Sequence, residues 1–326
     1  MKGLSIVTVC MNRREHLLAT APRVAVWPHH GEHLVVDWSS RDPLRREELP
    51  GDERVRLLRV EGEGRWNLCR AYNFAVAHAN GDLVLKLDAD AWPMDAFDPL
   101  STALRLSGGG QVCAFGSGPE GRKGQFLIER QLFEAVGGFN ELLVGYGFDD
   151  KDLLGRLLQV CGEQSCSLPQ EWIGVIHHSD GERAEQGARR GAMAESQGLA
   201  AMRATRLANR LLAAHHHWGR FNPRSHYEEV FPSRWRLIPG TLPRPTPETA
   251  DEIEHARRLA FWSCFLAIPE VFLAELPIKL VPHPRGGGWP VRWWHRLWWQ
   301  TGRRLLHLPV LLLSWTRGCL GRPPEA

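Results

Sequence analysis

Strands and helices alternate through the first ninety residues, and that alternation admits few folds. Leu4-Ser5-Ile6-Val7-Thr8-Val9-Cys10 is a β-branched run of strand length, and Met11-Asn12-Arg13-Arg14-Glu15-His16-Leu17 opens a helix after it. His33 to Ser40 reads as a second strand ending at Asp37, and Val55 to Val60 as a third. Trp66 to Ala79 carries Leu68, Ala71, Ala75 and Ala79 near one face, a helical period that Asn80-Gly81 stops. Leu83 to Asp88 is the next strand. Elements in this order join through right-handed crossovers, so the predicted class is α/β with a mostly parallel central sheet. In open sheets of that kind, ligands bind beyond the carboxyl ends of the strands.

That rule directs attention to Leu83-Val84-Leu85-Lys86-Leu87-Asp88-Ala89-Asp90, an apolar run ending in two carboxylates one residue apart. On a continuing pleat the two would point to opposite sides, so both serve one site only if the chain turns at Ala89. Trp92-Pro93 supports a turn, because Pro93 removes a ladder donor. Hard oxygen ligands at a strand end suit Mg²⁺ or Mn²⁺. An Asp-x-Asp is expected about once by chance in a chain of this size, so its neighbours carry the weight.

Those neighbours are polar at the right places. The arginines after the first strand stand where a strand-to-helix turn meets phosphate or base, although a solvated helical turn explains them equally simply. Asp37 can accept from a base imide or cap its own turn. Arg70 and Asn73, three apart, share a helix face. A weaker helix is expected after Asp98, then strands at Gln111–Phe115 and Gly124–Ile128 and a helix from Arg130 to Val136. Gly137-Gly138-Phe139-Asn140-Glu141 then leads into Gly145-Tyr146-Gly147-Phe148-Asp149-Asp150-Lys151-Asp152, where a helix begins. Acids in a first helical turn are stabilised by the dipole, which accounts for one or two of them without a function. Trp172 to Asp180 reads as a strand ending in His177-His178, one of which suits a metal.

The remainder is read more coarsely. The expected domains are a catalytic α/β region over 1–185, split near residue 100, a helical extension over 186–238, a Pro-rich linker over 239–250 and a helical region over 251–326. Net charge is +3, yet from Lys279 onward eight Lys/Arg face the single Glu325, which leaves the rest of the chain near −4. This tail interleaves Trp293, Trp294, Trp298 and Trp299 with arginines, a pairing that suits an anionic headgroup layer or a docked protein surface. Pro269, Glu270, Glu275 and Pro277 interrupt the apolar stretch before it and argue against a bilayer span. Seven scattered cysteines read as thiols of a reducing compartment. With Met1-Lys2-Gly3 running straight into a strand, the expected location is cytoplasmic, peripheral on the inner face of the membrane.

Taken in order, these residues resemble nucleotide-sugar glycosyltransferases of the GT-A fold: the first half is similar to family 2, the region to Asp180 to the β-1,4-galactosyltransferase group. Asn12-Arg13-Arg14-Glu15-His16-Leu17 is similar to Asn-Arg-x-Glu-His-Leu, Asp37 with Ser39-Ser40 to the uracil-reading loop, and Arg70-Ala71-Tyr72-Asn73 to Arg-x-x-Asn. Asp88-Ala89-Asp90 takes the place of the DxD motif, and Gly137 to Asp152 that of the acceptor block. The resemblance implies a metal-dependent transfer from a UDP-sugar to an acceptor hydroxyl of a saccharide or lipid-linked molecule, with inversion, and no nucleic-acid partner. Retention of configuration and a non-catalytic scaffold are the alternatives. It implies Asp90 and His178 as ligands of Mn²⁺ or Mg²⁺ and Asp150 as catalytic base. Donor contacts fall on Thr8, Asn12, Arg13, Asp37, Arg70, Asn73 and the ribose-side Asp88, acceptor contacts on Tyr146 and Asp149. Val175 stands where the galactosyltransferases use a metal-binding Met, and Tyr146 and Phe148 depart from the block, so the sugar is not carried over.

Overall fold

The computed structural model describes residues 3–101, 111–118, 122–145, 147–161, 165–177, 205–214, 216–251 and a few isolated positions beyond them. By packing, the chain divides into one unit of residues 1–141, 156–177 and 218–243 and another of residues 142–155, 178–217 and 244–326.

The first unit is built on strands β1 (Leu4–Cys10), β2 (Glu32–Trp38), β3 (Val55–Glu61), β4 (Leu83–Lys86), β6 (Cys113–Gly116), β7 (Phe126–Glu129), β8 (Cys166–Leu168), β10 (Tyr227–Phe231) and β11 (Arg234–Leu237). Among the described residues they form a nine-stranded sheet in the order β10-β11-β3-β2-β1-β4-β7-β6-β8. Pairing is parallel from β11 through β3, β2 and β1 to β4, and antiparallel where β7 joins β4 and β6. β1 and β2 are buried at every position, so their apolar runs are continuous rather than alternating. The class is the expected one, α/β with a mostly parallel centre.

Helix α1 (Arg14–Val26) follows β1 and buries Leu17, Ala21 and Val24. Leu17 and Ala21 pack with Cys10, Val35 and Ala89, while Val24 joins Ile6, Leu85, Leu87, Phe97 and Leu127. Helix α2 (Leu68–His78) starts at Asn67, whose side chain accepts from the Arg70 amide at 2.9 Å, a standard N-cap. It buries Ala71, Tyr72, Phe74, Ala75 and Val76. Helix α3 (Arg130–Ala135) and the long α4 (Asp149–Val160) follow.

Four expectations need correction. The strand read over Trp172–Asp180 is the short β9 (Ile173–Val175), and it leaves the main sheet to pair with β5 (Ala91–Pro93). Pro93 therefore lies in a ladder after all, opposite Ile173, which a two-stranded sheet with only edge strands tolerates. β4 stops at Lys86, two residues short of Asp88, because the Asp88 amide donates to the Gln125 side chain instead of to a neighbouring strand. The stretch expected as a helical extension over 186–238 contains helix at 205–214 but also the β10–β11 hairpin, which extends the main sheet past residue 185. Trp38, Phe74, Tyr227 and Trp235 seat that hairpin through edge-on ring contacts of 5.2–6.1 Å. The helix expected after Asp98, Tyr146, His178 and nearly all of the basic tail lie outside the described residues. No helix among the described residues is long and apolar enough to cross a membrane.

Candidate active site

The carboxylate pair after β4 sits on a turn held from three directions. The Ala91 amide donates to the Asp88 carbonyl at 2.9 Å, the Thr20 hydroxyl of α1 to the Ala89 carbonyl at 2.8 Å, and the Ile176 amide beyond β9 to the Asp90 carbonyl at 2.8 Å. The β5–β9 pairing thus brings Ile176, next to His177, to the backbone of Asp90.

The two carboxylates have different circumstances. Asp88 accepts from Lys86 Nζ at 2.7 Å and Tyr72 Oη at 3.0 Å on one oxygen, and from Gln125 Nε2 at 2.7 Å on the other. Lys86 is buried; it also donates to the Gly124 carbonyl at 2.8 Å and lies 4.3 Å from the centre of the Tyr72 ring. Burial alone would raise the Asp88 pKa, but the Lys86 charge and the three donors outweigh it and hold the carboxyl below its ordinary value. Tyr72 is pushed the other way, first by burial and then by Asp88. Asp90 is half-buried. Its carboxylate is a hard oxygen donor, the chemistry that fits a Mn²⁺ or Mg²⁺ ion, while the other expected ligand, His178, lies outside the described residues. Among the described residues alone, no group of three or more His, Cys, Asp or Glu is arranged to hold a metal.

The residues expected on the donor side fall into two groups. Asn12, in the left-handed region at φ 57°, donates its amide to Ser40 Oγ and accepts from the Arg41 amide, so it ties the β1–α1 turn to the loop after β2. Asp37 is fully buried and organises that same loop: its oxygens accept from the Ser40 and Leu44 amides and pair with Arg59. Thr8 is buried, its hydroxyl 3.2 Å from His33 Nε2, and Arg13 precedes α1. Arg70 and Asn73 share a helix but reach different partners. Arg70 donates to Glu63 at 2.6 Å. Asn73 is buried and clamps the loop after α3: its amide donates to the Phe139 carbonyl and Glu141, and its oxygen accepts from the Phe139 amide.

That clamp explains the double glycine. Gly137 and Gly138 both have positive φ, 84° and 64°, and a Cβ on Gly138 would lie 2.4 Å from Asn73 Oδ1. Arg156 donates to the Val136 and Gly138 carbonyls, and Trp218 Nε1 to that of Gly137. In the second unit, Asn209 holds Val144 through its amide and carbonyl and Gly147 through its carbonyl. Phe148 follows at φ 76°, a costly conformation for an aromatic residue, directly before Asp149 and Asp150 in the first turn of α4. Lys86, Gln125 and Glu63 were not singled out from sequence; a lone lysine in a strand buried on both faces is the signal that could have found the first.

Residues 5–162 match the model of glycosyl transferase family 2. The sheet built largely from the matched region is mostly parallel at its centre, consistent with the GT-A fold. No curated protein sequence matches the chain. Among solved structures, the chain is similar to the mannosyltransferase PcManGT from Pyrobaculum calidifontis in complex with GDP-Man and Mn²⁺, at 16% identity and TM-score 0.46 over 97% of this chain and 86% of that one. It is also similar to glucosyl-3-phosphoglycerate synthase from Mycobacterium tuberculosis in complex with Mn²⁺, UDP and glucosyl-3-phosphoglycerate, at 17% identity and TM-score 0.45 over 75% and 88%. The S. aureus TarS structure matches at 14% identity and TM-score 0.41 over 63% and 43%.

Proposed function

We propose that the protein is a glycosyltransferase that moves a sugar from a UDP-sugar to an acceptor hydroxyl with inversion at the anomeric carbon. The observation that supports this most is the turn carrying Asp90 in the family 2 region, fixed by Thr20 of α1 and by the backbone of Ile176 just ahead of His178. Asp90 and His178 would hold Mn²⁺ or Mg²⁺, which when bound supplies charge neutralisation for the departing diphosphate. Asp88, locked by Lys86, Tyr72 and Gln125, keeps the turn in shape and faces the ribose side. Asp37 fixes the loop from Ser40 to Leu44 against which the base packs, with Asn12 as its tie to the first strand. On the sequence block, Asp150 accepts the proton of the attacking hydroxyl and Asp149 and Tyr146 hold acceptor hydroxyls.

Two variants test the assignment. Asp90→Ala weakens UDP binding measured by calorimetry with Mn²⁺ and leaves the metal-free titration unchanged. Asp150→Asn keeps Mn²⁺-dependent UDP binding and loses about 10²- to 10⁴-fold in turnover, the usual contribution of a positioned base. Equal UDP affinity in Asp90→Ala, or near-normal turnover in Asp150→Asn, refutes the corresponding role.

A further inference from the structure

We propose that Tyr227 and Glu63 are positioning residues that hold the Arg70 guanidinium at the donor side of the site. The inference rests on the donor-binding role proposed for Arg70.

The argument begins at the hairpin. β11 pairs in parallel with β3, Arg234 opposite Arg59, and so brings β10 alongside the end of the sheet. Tyr227 there places its ring edge-on to Trp38 at 5.5 Å and to Phe74 at 5.2 Å, and its hydroxyl donates to Glu63 Oε1 at 2.7 Å. Glu63 is itself fixed. Its amide donates to Ser39 Oγ at 3.0 Å, and Ser39, at φ 55°, is anchored by its hydroxyl on the Val60 carbonyl. The second Glu63 oxygen receives Arg70 Nη2 at 2.6 Å, with the Arg70 and Glu63 side chains only 15% and 5% exposed.

A buried carboxylate between one phenol and one guanidinium has little freedom to rotate, because turning toward either partner abandons the other. Arg70 therefore inherits its direction from a tyrosine 157 positions away in sequence, on an element with no other stated task. Arg70 Nε is buried and without a partner among the described residues, so Glu63 does not satisfy the whole guanidinium. Burial, and then the Glu63 charge, push the Tyr227 pKa up, so the phenol stays a donor across the physiological range.

The test is calorimetry of UDP with Mn²⁺ on the full chain carrying Tyr227→Phe, Arg70→Ala or both, with melting curves of the ligand-free proteins. Tyr227→Phe keeps the ring contacts and removes one hydrogen bond, so UDP affinity falls about three- to tenfold. In the Arg70→Ala background the same change has no further effect. Glu63→Gln, which keeps the shape but removes the charge that holds Arg70, weakens UDP at least as much as Tyr227→Phe. A lowered melting temperature with unchanged UDP affinity, or an equal loss in both backgrounds, overturns the positioning role. If Arg70→Ala itself leaves UDP affinity unchanged, the donor role of Arg70 falls and this inference falls with it.

Discussion

Lys86→Met asks what the buried ammonium beside the carboxylate pair contributes. Methionine fills nearly the same volume, so the change removes a charge and three donors from a site where the lysine side chain is only 2% exposed. Three interactions disappear: the ion pair to Asp88 at 2.7 Å, the bond to the Gly124 carbonyl at 2.8 Å and the cation–π contact with Tyr72 at 4.3 Å. A charge-assisted bond contributes about 1.5–3 kcal/mol and a desolvated cation–π contact about 2 kcal/mol. Asp88 keeps its bonds to Tyr72 and Gln125, and its side chain is 37% exposed, so solvent recovers part of the loss. The expected net cost is about 3 kcal/mol, at the lower end for breaking a buried pair. At about 2–4 °C per kcal/mol the melting temperature falls by roughly 6–12 °C. The assay is chemical and thermal unfolding of the wild type, Lys86→Met, Asp88→Asn and the double variant. Because a neutral pair of similar shape can replace a buried ion pair at little cost, the double variant should be more stable than Lys86→Met alone. If Lys86→Met unfolds within about 0.5 kcal/mol of the wild type, the size of ordinary surface substitutions, the buried-pair reasoning is wrong. If the two single losses simply add, Lys86 and Asp88 are not coupled.

Two further perturbations follow from the same structure. Gly138→Ala forces an L-residue to φ 64° and sets a methyl 2.4 Å from Asn73 Oδ1, so it should destabilise by about 2–4 kcal/mol, read by urea unfolding; an unchanged midpoint would show that the Asn73 clamp is dispensable. His33 is fully buried, and burial, then the nearby His30, lowers its pKa to about 3. It stays neutral in the fold while the unfolded chain takes up a proton below about pH 6.5, so stability is lost as pH falls from there toward 3, by about 2 kcal/mol at pH 5. His33→Gln should flatten that part of the stability profile; an equally steep profile would place the acid sensitivity elsewhere.

The parts of this fold that could be read from sequence are those in which one local signal decides the outcome. β1 and β2 are continuous runs of strand length, α2 has a clear helical period, and Asp88-Ala89-Asp90 follows an apolar strand at the sheet rim, where the topology alone says a ligand belongs. The hairpin is hidden because it lies at a sheet edge: Tyr227-Glu228-Glu229-Val230-Phe231 and Arg234-Trp235-Arg236-Leu237 carry charges on exposed positions, and Tyr227 and Trp235 pack on Phe74 of α2. Edge strands are diluted with charge in this way as protection against pairing with other chains. Arg70 and Asn73 show a second limit. Helical spacing put them on one side of α2, but their directions are set by Glu63 and by the Phe139–Glu141 loop, which sequence separation does not reveal.

The same partition runs through the candidate site. Several of the polar residues that the motif supplied are already satisfied within the fold. Asp37, Asn73 and Asp88 have their carboxylate or amide groups engaged within the fold, and they shape the loop after β2, the double-glycine turn and the carboxylate turn. Asp37 and Asn73 are buried, and burying a polar group without a partner is costly, so their hydrogen bonds belong to the fold before any ligand arrives. A motif of this kind therefore mixes two constraints, and sequence alone weights them equally. Asp90 stands half-buried on a turn held by the Thr20 hydroxyl and by the Ala91 and Ile176 amides, and the surrounding acids and amides give that turn its position.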